Sequence, residues 1–222
     1  MATAPLDALR ALREVLWDPE RGMDRYAPGV APGVDISSLN LHAVRETANG
    51  AFLDLQDGNV DRAVTALRNV LALQYPVSDR PWSATFPTSA EQPEPPVDAV
   101  EWVHYDPNWR QFLGMTLALC AIVHGPSLPS DVTAGIDEAL RRCVAGEPDG
   151  RIPSWYTNPN LMHVWLQGHV AAATGDGVLR ARAHSRLAGP MERLLRYGDV
   201  DEYNSPTYDG IDVLALGLWA MY

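Results

Sequence analysis

Three stretches of the sequence share one pattern and decide the fold: Asp106-Pro107-Asn108-Trp109, Asn158-Pro159-Asn160-Leu161 and Ser205-Pro206-Thr207-Tyr208. Each has a capping residue, then proline, then a small polar residue, then a bulky apolar one. A capping side chain accepts a hydrogen bond from a free backbone N–H, and proline suits the first helical position because its missing donor is not needed there. Each stretch therefore predicts the start of a helix.

The three starts recur at intervals of about 50 residues, and each interval encloses a second helical pattern. Apolar residues at three- and four-residue steps are typical of amphipathic helices. They occur in Ser38–Leu55, Val60–Leu71, Phe112–Val123, Val132–Cys143, Pro159–Ala173 and Val178–Tyr197, with Ser130 expected as a cap. Only Val200–Tyr203 is a candidate strand. The sequence therefore predicts an all-α chain of repeated αα-hairpins.

Repeated αα-hairpins stack either as a solenoid or as a closed ring. In an (α/α) toroid, alternate helices line the inside and their starts surround one mouth. The inner helices of such a ring would start near Ser38, Pro107, Pro159 and Pro206. We therefore expect a partial or complete (α/α) toroid.

The 222 residues, 46% of them hydrophobic, suit a single helical-hairpin domain over residues 1–222. Residues 76–106 are a long proline-rich loop within it. Disorder is expected in Ser78–Asp98, because its proline and glutamate residues exclude a packed core. The last helix, Leu214–Tyr222, is apolar and ends without a cap. Either the domain is incomplete at its C-terminus, or a second copy or a partner chain covers this helix.

Composition excludes several functions. The net charge of −11 argues against nucleic-acid and anionic-membrane partners, which need basic patches. Met1–Leu16 lacks a signal-peptide pattern, and the longest apolar stretch, Met115–Val123, is about half of a membrane span. We expect a cytoplasmic protein without a cofactor or a metal site. Cys120 and Cys143 fall in apolar helical patterns and are expected to be buried free thiols.

The residues before the predicted inner helices carry most of the chemistry. They form the clusters Glu101–Trp109, Trp155–His163 and Asp201–Asp212. Aromatic rings stack on sugar faces, while carboxylates and amides bind hydroxyls, so a carbohydrate site at one shared mouth is the interpretation we favour. The expected substrate-binding residues are Trp109, Trp155, Tyr156, Asn160, Tyr203, Asn204 and Asp209.

The segment Glu202-Tyr203-Asn204-Ser205-Pro206-Thr207-Tyr208 resembles the Glu-x-Ser-Pro-x-Tyr segment of heparinase II/III-like polysaccharide lyases. The helix-pair plan is similar to that of six-hairpin glycosidases, which share the (α/α) toroid. Glu202 lies one residue further from the Ser-Pro pair than in the lyases, and Asp209 stands where they often have histidine. The resemblance implies that Tyr208 is a proton donor or base.

Two chemistries stay open, and the expected catalytic residues are Tyr208, Glu202, His163 and Asp106. A glycan lyase would use Tyr208 and His163 for proton transfer beside a uronate, with Asn160 or Asn204 binding its carboxylate. A glycoside hydrolase needs two carboxyl groups flanking the bond. Its candidates are Asp106, Glu202, Asp209 and Asp212.

Two further functions are alternatives to a glycan enzyme. A toroid enzyme similar to terpenoid alcohol dehydratases would act on a small apolar alcohol, and the two cysteines would be its discriminating feature. A non-catalytic helical module, completed by a partner chain, would need no reactive site at all. The abrupt apolar end of the sequence favours this last alternative.

Overall fold

The computed structural model describes residues 4–26, 41–198 and 206–221, and helices account for most of them. They are α1 (Ala4–Leu16), α2 (Val44–Gln56), α3 (Val60–Ala72), α4 (Trp109–His124), α5 (Ser130–Ala145), α6 (Thr157–Thr174), α7 (Gly177–Tyr197) and α8 (Pro206–Met221). A short 3-10 helix, Gly125–Ser127, follows α4. Strands β1 (Trp17–Asp18) and β2 (Met23–Asp24) pair antiparallel, with Trp17 opposite Asp24. The all-α prediction is confirmed apart from this small pair, and Val200–Tyr203 lies outside the described residues.

The helices pack both in consecutive pairs and across pairs. Helix α2 contacts α3, α4 contacts α5, and α6 contacts α7; α2, α4, α6 and α8 also contact one another in that order. The core between them contains fully buried side chains from α3, α4, α5 and α6: Leu67, Leu113, Leu117, Ile136 and Leu166. Because α4 and α6 have neighbours on several sides, their N-terminal ends lie deep in the molecule.

The predicted helix starts are close to the observed ones, but two of the four predicted caps, Asn158 and Ser130, are wrong, and Ser205 lies outside the described residues. Helix α4 begins at Trp109, and the Asp106 carboxylate accepts the Asn108 backbone N–H at 2.8 Å in the turn before it. Helix α6 begins at Thr157, so Asn158 lies within it, and Pro159 is tolerated because first-turn N–H groups have no intrahelical acceptor. Ser130 is the first residue of α5 and forms no side-chain cap.

Helix α2 begins later than the apolar pattern predicted. It starts at Val44, and the two residues before it lie in extended backbone, where His42 pairs with Arg25 and Ala43 pairs with Ser89. These bridges use backbone groups that a longer helix would need, so the chain enters α2 from an extended segment.

The long proline-rich segment, residues 76–106, is packed although it contains no helix. Trp82, Ala84 and Phe86 are buried, and Phe86 has no exposed surface. Its backbone groups are paired in turns and with side chains; Arg110 donates to the carbonyl oxygens of Pro81 and Ser83, both at 2.7 Å. The expectation that Ser78–Asp98 is excluded from a packed core is therefore wrong.

Both ends of the described chain dock on α2 or α6. Helix α1 is held through its polar face, where Arg13 is buried against Asp24 and Asp54. At the other end, α8 packs on α6 with Ala215 and Leu218 buried, while Val213 next to them is exposed. The apolar final helix is thus covered on one side by its own chain.

The two cysteines behave as predicted. Cys120 and Cys143 are buried free thiols, and burial raises the pKa of each to about 12. Neither thiol is therefore a nucleophile near neutral pH. None of the helices in the described ranges is long and apolar enough to cross a bilayer.

The packed segment yields a stability prediction. Phe86→Ala should lower the free energy of unfolding by about 3–5 kcal/mol, because it removes a fully buried ring and leaves a cavity. Val97→Ala in the same segment is the matched control, since Val97 is 74% exposed and should change stability little. Denaturant unfolding measures both variants. Equal stability of the two would show that this segment does not belong to the core.

Candidate functional site

A cavity of about 530 Å³ lies beside the N-terminal ends of α4 and α6. Its walls come from α2, the segment before α4, α4 itself, α6 and α8. The polar and aromatic lining is Arg45, Glu46, Asn49, Trp102, Asp106, Asn108, Thr116, Tyr156 and Asn158. The apolar lining is Phe112, Met115, Met162, Ile211 and Leu214. The cavity therefore offers both apolar side chains for contact and polar side chains for hydrogen bonds.

Two carboxyl groups of different character line this cavity. Burial raises the pKa of Asp106, although hydrogen bonds from Asn108 and Trp109 and the charge of Arg151 oppose the shift. Glu46 accepts hydrogen bonds from Arg45 at 2.8 and 3.2 Å. Burial thus favours the protonated form of Asp106, whereas Glu46 is paired with the permanent cation of Arg45.

Trp102 is presented at the cavity by an unusual loop. Its φ of +65° lies in the left-handed region, which is rare for a bulky residue, and the side chain is 57% exposed. Three hydrogen bonds close the loop around it: Trp102 N–H to the Tyr105 carbonyl oxygen, Val100 N–H to His104 Nδ1, and Gln92 Nε2 to the His104 carbonyl oxygen. The fold keeps a large apolar ring in solvent at some conformational cost, which is typical of a functional position.

Some predicted site residues lie at this cavity or next to it. Asp106 and Tyr156 line it, and the Tyr156 hydroxyl accepts a hydrogen bond from Asn108 Nδ2 at 2.8 Å. The exposed Trp155 ring stacks on Tyr156, with 6.0 Å between ring centroids. Trp109 is buried in the core behind the wall, with the Arg45 guanidinium 5.6 Å from its ring centroid.

Two other predicted residues, Asn160 and His163, face away from this cavity. Asn160 accepts a hydrogen bond from Arg186 of α7 at 2.7 Å. His163 lines a second cavity, of about 350 Å³, together with Glu147 and Gln167. Residues four apart share a side of a helix, so the side of α6 that contains Asn158 and Met162 is opposite the side that contains His163 and Gln167.

The third cluster falls largely outside the described part of the chain. Glu202, Tyr203 and Asn204 lie outside the described residues. Tyr208 and Asp209 are in the first turn of α8, whose later residues Ile211 and Leu214 line the larger cavity. Asp212, which the sequence offered as a further carboxylate, is buried.

Sequence reasoning missed the contribution of α2 to this cavity. Arg45, Glu46 and Asn49 all line it, and Asn49 accepts a hydrogen bond from Thr116 of α4 at 3.0 Å. Their spacing of three and four residues places them on one face of α2, and this polar stripe was the available signal. Trp102 belongs to the predicted cluster Glu101–Trp109, but no sequence pattern indicated its left-handed backbone.

Comparisons with known proteins place the chain in one family and say nothing of its chemistry. A family model described as "Domain of unknown function (DUF8769)" matches residues 37–222. No curated protein and no solved structure matches the chain. Among the described residues, no group of three or more histidine, cysteine, aspartate or glutamate side chains is arranged to hold a metal ion.

The burial of His163 yields a prediction about pH. Burial lowers its pKa to about 3, with the charge of Glu147 opposing, so the imidazole is neutral in the folded chain but titrates near 6.5 in the unfolded chain. Its contribution to stability is complete above pH 6.5 and is lost as the pH falls toward 3. Between pH 7 and pH 5 this loss is about 2 kcal/mol.

His163→Gln should therefore flatten the pH dependence of unfolding across that window, whatever its effect on stability at pH 7. Urea unfolding at several pH values measures the slope. The control is His184→Gln, which changes an exposed histidine of α7. A slope in His163→Gln as steep as in the unaltered chain would contradict a buried neutral imidazole.

Proposed function

We propose that this chain, which belongs to the DUF8769 family, is a carbohydrate-active enzyme that acts on a glycan in the 530 Å³ cavity. The observation that carries the proposal is the combination of groups that line this one cavity. Trp102 and Tyr156 supply rings, Glu46 and Asp106 supply carboxyl groups, and asparagine side chains supply amides. A sugar has apolar faces and a rim of hydroxyls, so it needs both kinds of contact.

The helix contacts support a partial or complete (α/α) toroid as the scaffold. The hairpins α2–α3, α4–α5 and α6–α7 follow one another along the chain, and the first helix of each hairpin contacts the first helix of the next. Helices α2, α4, α6 and α8 would be the inner set, and residues from all four line the cavity. In this arrangement the site lies on the inner helices, as the sequence pattern predicted.

The charges favour a hydrolase over a lyase. A lyase must stabilise a uronate carboxylate, but the arginine of this cavity, Arg45, is already bound to Glu46. The carboxylate of Glu46 would repel a uronate. A neutral or amino-sugar glycan meets no such penalty, and two carboxyl groups are the usual equipment for hydrolysis.

The different character of the two carboxyl groups assigns their roles. Asp106, with its raised pKa, would give its proton to the glycosidic oxygen as the bond to the anomeric carbon breaks. Glu46, as a carboxylate, would act at that carbon, either by taking a proton from the attacking water or by attacking directly. Arg45 would hold Glu46 in place through its two hydrogen bonds.

A glycan lyase is the second candidate, and one observation supports it. Tyr208 lies in the first turn of α8, whose later turns supply Ile211 and Leu214 to the cavity. The dehydratase alternative lacks support of this kind, because Cys120 and Cys143 are buried in the core. A partner chain on the exposed side of α8, near Val213, is compatible with any of these activities.

A panel of neutral, amino-sugar and uronate glycans separates these functions. Hydrolysis releases reducing ends without ultraviolet absorbance, whereas a lyase product absorbs because it contains a new double bond. We expect reducing ends from neutral or amino-sugar glycans. Absorbing products from uronates would favour the lyase, and no product from any glycan would favour the interaction module.

Substitution of the two carboxyl groups tests their roles. Asp106→Asn and Glu46→Gln should each lower kcat by about 10²–10⁴-fold, the usual contribution of a proton-transferring group. Asp98→Asn, an exposed position in the same segment as Asp106, is the control and should leave kcat unchanged. Circular dichroism and Tm confirm that each variant is folded. Unchanged turnover in Asp106→Asn would remove the assigned acid.

Substitution of the exposed indole tests the ring contact. Trp102→Ala should raise KM about tenfold, equivalent to about 1.4 kcal/mol of lost binding, with kcat less affected. Trp102→Tyr retains an aromatic face and should recover most of the affinity. If the alanine variant binds the glycan as well as the unaltered chain does, Trp102 is not a stacking platform.

A further inference from the structure

The Asn108 side chain lies in the wall of the cavity and is held from both ends. It is 2% exposed; its Oδ1 accepts a hydrogen bond from Arg151 Nη1 at 3.0 Å, and its Nδ2 donates to the Tyr156 hydroxyl at 2.8 Å. A guanidinium can only donate, so the amide oxygen must face Arg151 and the amide nitrogen must face Tyr156. The Tyr156 oxygen therefore receives a hydrogen bond in a defined direction.

Arg151 is itself fixed by Glu147. Its Nε and Nη2 donate to the two carboxylate oxygens at 2.6 and 2.9 Å, a bidentate arrangement that defines both distance and plane. Burial opposes the ionisation of Glu147, but the hydrogen bond and charge of Arg151, together with Arg110, outweigh it and lower its pKa. The pair is thus ionised at neutral pH.

Glu147 is anchored in turn by two residues of α4. Its Oε2 accepts hydrogen bonds from Arg110 at 3.2 Å and from Gln111 at 3.0 Å, and its side chain is 1% exposed. The result is one buried chain of hydrogen bonds: Glu147 to Arg151 to Asn108 to Tyr156. Asn108 and Tyr156 line the larger cavity, whereas Arg151 and Glu147 lie behind it.

We propose that Arg151 is a positioning residue, which sets the place of the Tyr156 hydroxyl by orienting the Asn108 amide. The inference rests on the proposed function only where it says that Tyr156 meets a glycan. Because the Tyr156 hydroxyl is already ordered in the free protein, binding does not have to pay the entropy of ordering it. The fixed hydroxyl also favours sugars that have a hydroxyl at the matching position.

Two substitutions break the chain at different links. Arg151→Lys keeps a positive charge for Glu147, but an ammonium on a flexible stem does not reproduce the planar fork that binds Glu147 and Asn108 together. Asn108→Asp keeps an acceptor for Arg151 and replaces the donor to Tyr156 by a second acceptor. The control is Arg142→Lys, which alters a surface arginine paired with Glu138 at the same four-residue spacing.

A readout that does not need a substrate is the fluorine spectrum of the chain labelled with fluorotyrosine. Tyr156→Phe identifies the Tyr156 resonance by its disappearance. Arg151→Lys and Asn108→Asp should both shift or broaden this resonance and leave the other tyrosine resonances in place, and Arg142→Lys should leave all of them unchanged. A Tyr156 resonance that neither variant moves would overturn the proposal.

The kinetic arm uses whichever glycan the panel identifies. Arg151→Lys should lower kcat/KM about tenfold in the unaltered background and have little effect in the Tyr156→Phe background, because the two changes act through one chain. Additive losses would show that Arg151 acts independently of Tyr156. If the resonance moves but no glycan is turned over, the positioning role stands and the proposed function fails.

Discussion

The buried guanidinium of Arg110 is the interaction on which the rest of this structure depends. It has no exposed surface, and its hydrogen bonds reach the carbonyl oxygens of Pro81, Ser83 and Pro107 and the carboxylate of Glu147. A buried cation without such partners would cost several kcal/mol. Because the partners come from the proline-rich segment and from the turn after α5, one side chain in the first turn of α4 joins them. Trp102 and Asp106, which line the larger cavity, belong to that same segment, so this network also helps to hold them in place.

The same network explains why α6 separates two cavities of different chemistry. Glu147 faces Arg110 and Arg151, and the imidazole of His163 lies near this group of charges but stays neutral. On the side of α6 toward α5 and α7, the polar side chains therefore face ion pairs that are internal to the fold. The opposite side, with Asn158 and Met162, is available to the larger cavity. A functional site built there can use Tyr156 without disturbing the ion pairs behind it.

The sequence could predict those parts of the fold that have a regular apolar spacing or a local helix-start signal such as proline. Apolar spacing and proline located the helices, and position before a helix start located Asp106 and Tyr156. Helix α6 shows why the rest could not be predicted: its residues from Thr157 to Gln167 are all buried, so no amphipathic phase tells which side faces a cavity. For this reason the sequence could not show that Asn160 and His163 lie on the side of α6 away from the larger cavity. The packing of the proline-rich segment depends on Arg110, which is distant from Pro81 in sequence, and no local pattern reports such a contact.

The charged side chains of the larger cavity are already paired or buried, and this limits the ligands that it can bind. Arg45 contacts both Glu46 and the ring of Trp109, so its positive charge is already paired within the protein. Asp106 lies near a buried helix start. Burial disfavours its ionised form relative to water and so raises its pKa. A chain of net charge −11 also repels polyanions before they arrive, and that repulsion weakens only with added salt. The apolar lining residues Phe112, Met115 and Met162 contribute no positive charge that would offset this repulsion. This distribution of charge and apolar surface is the reason why the proposed function takes an uncharged or amino-bearing sugar, with a face on Trp102 and its hydroxyls toward Asn108 and Tyr156.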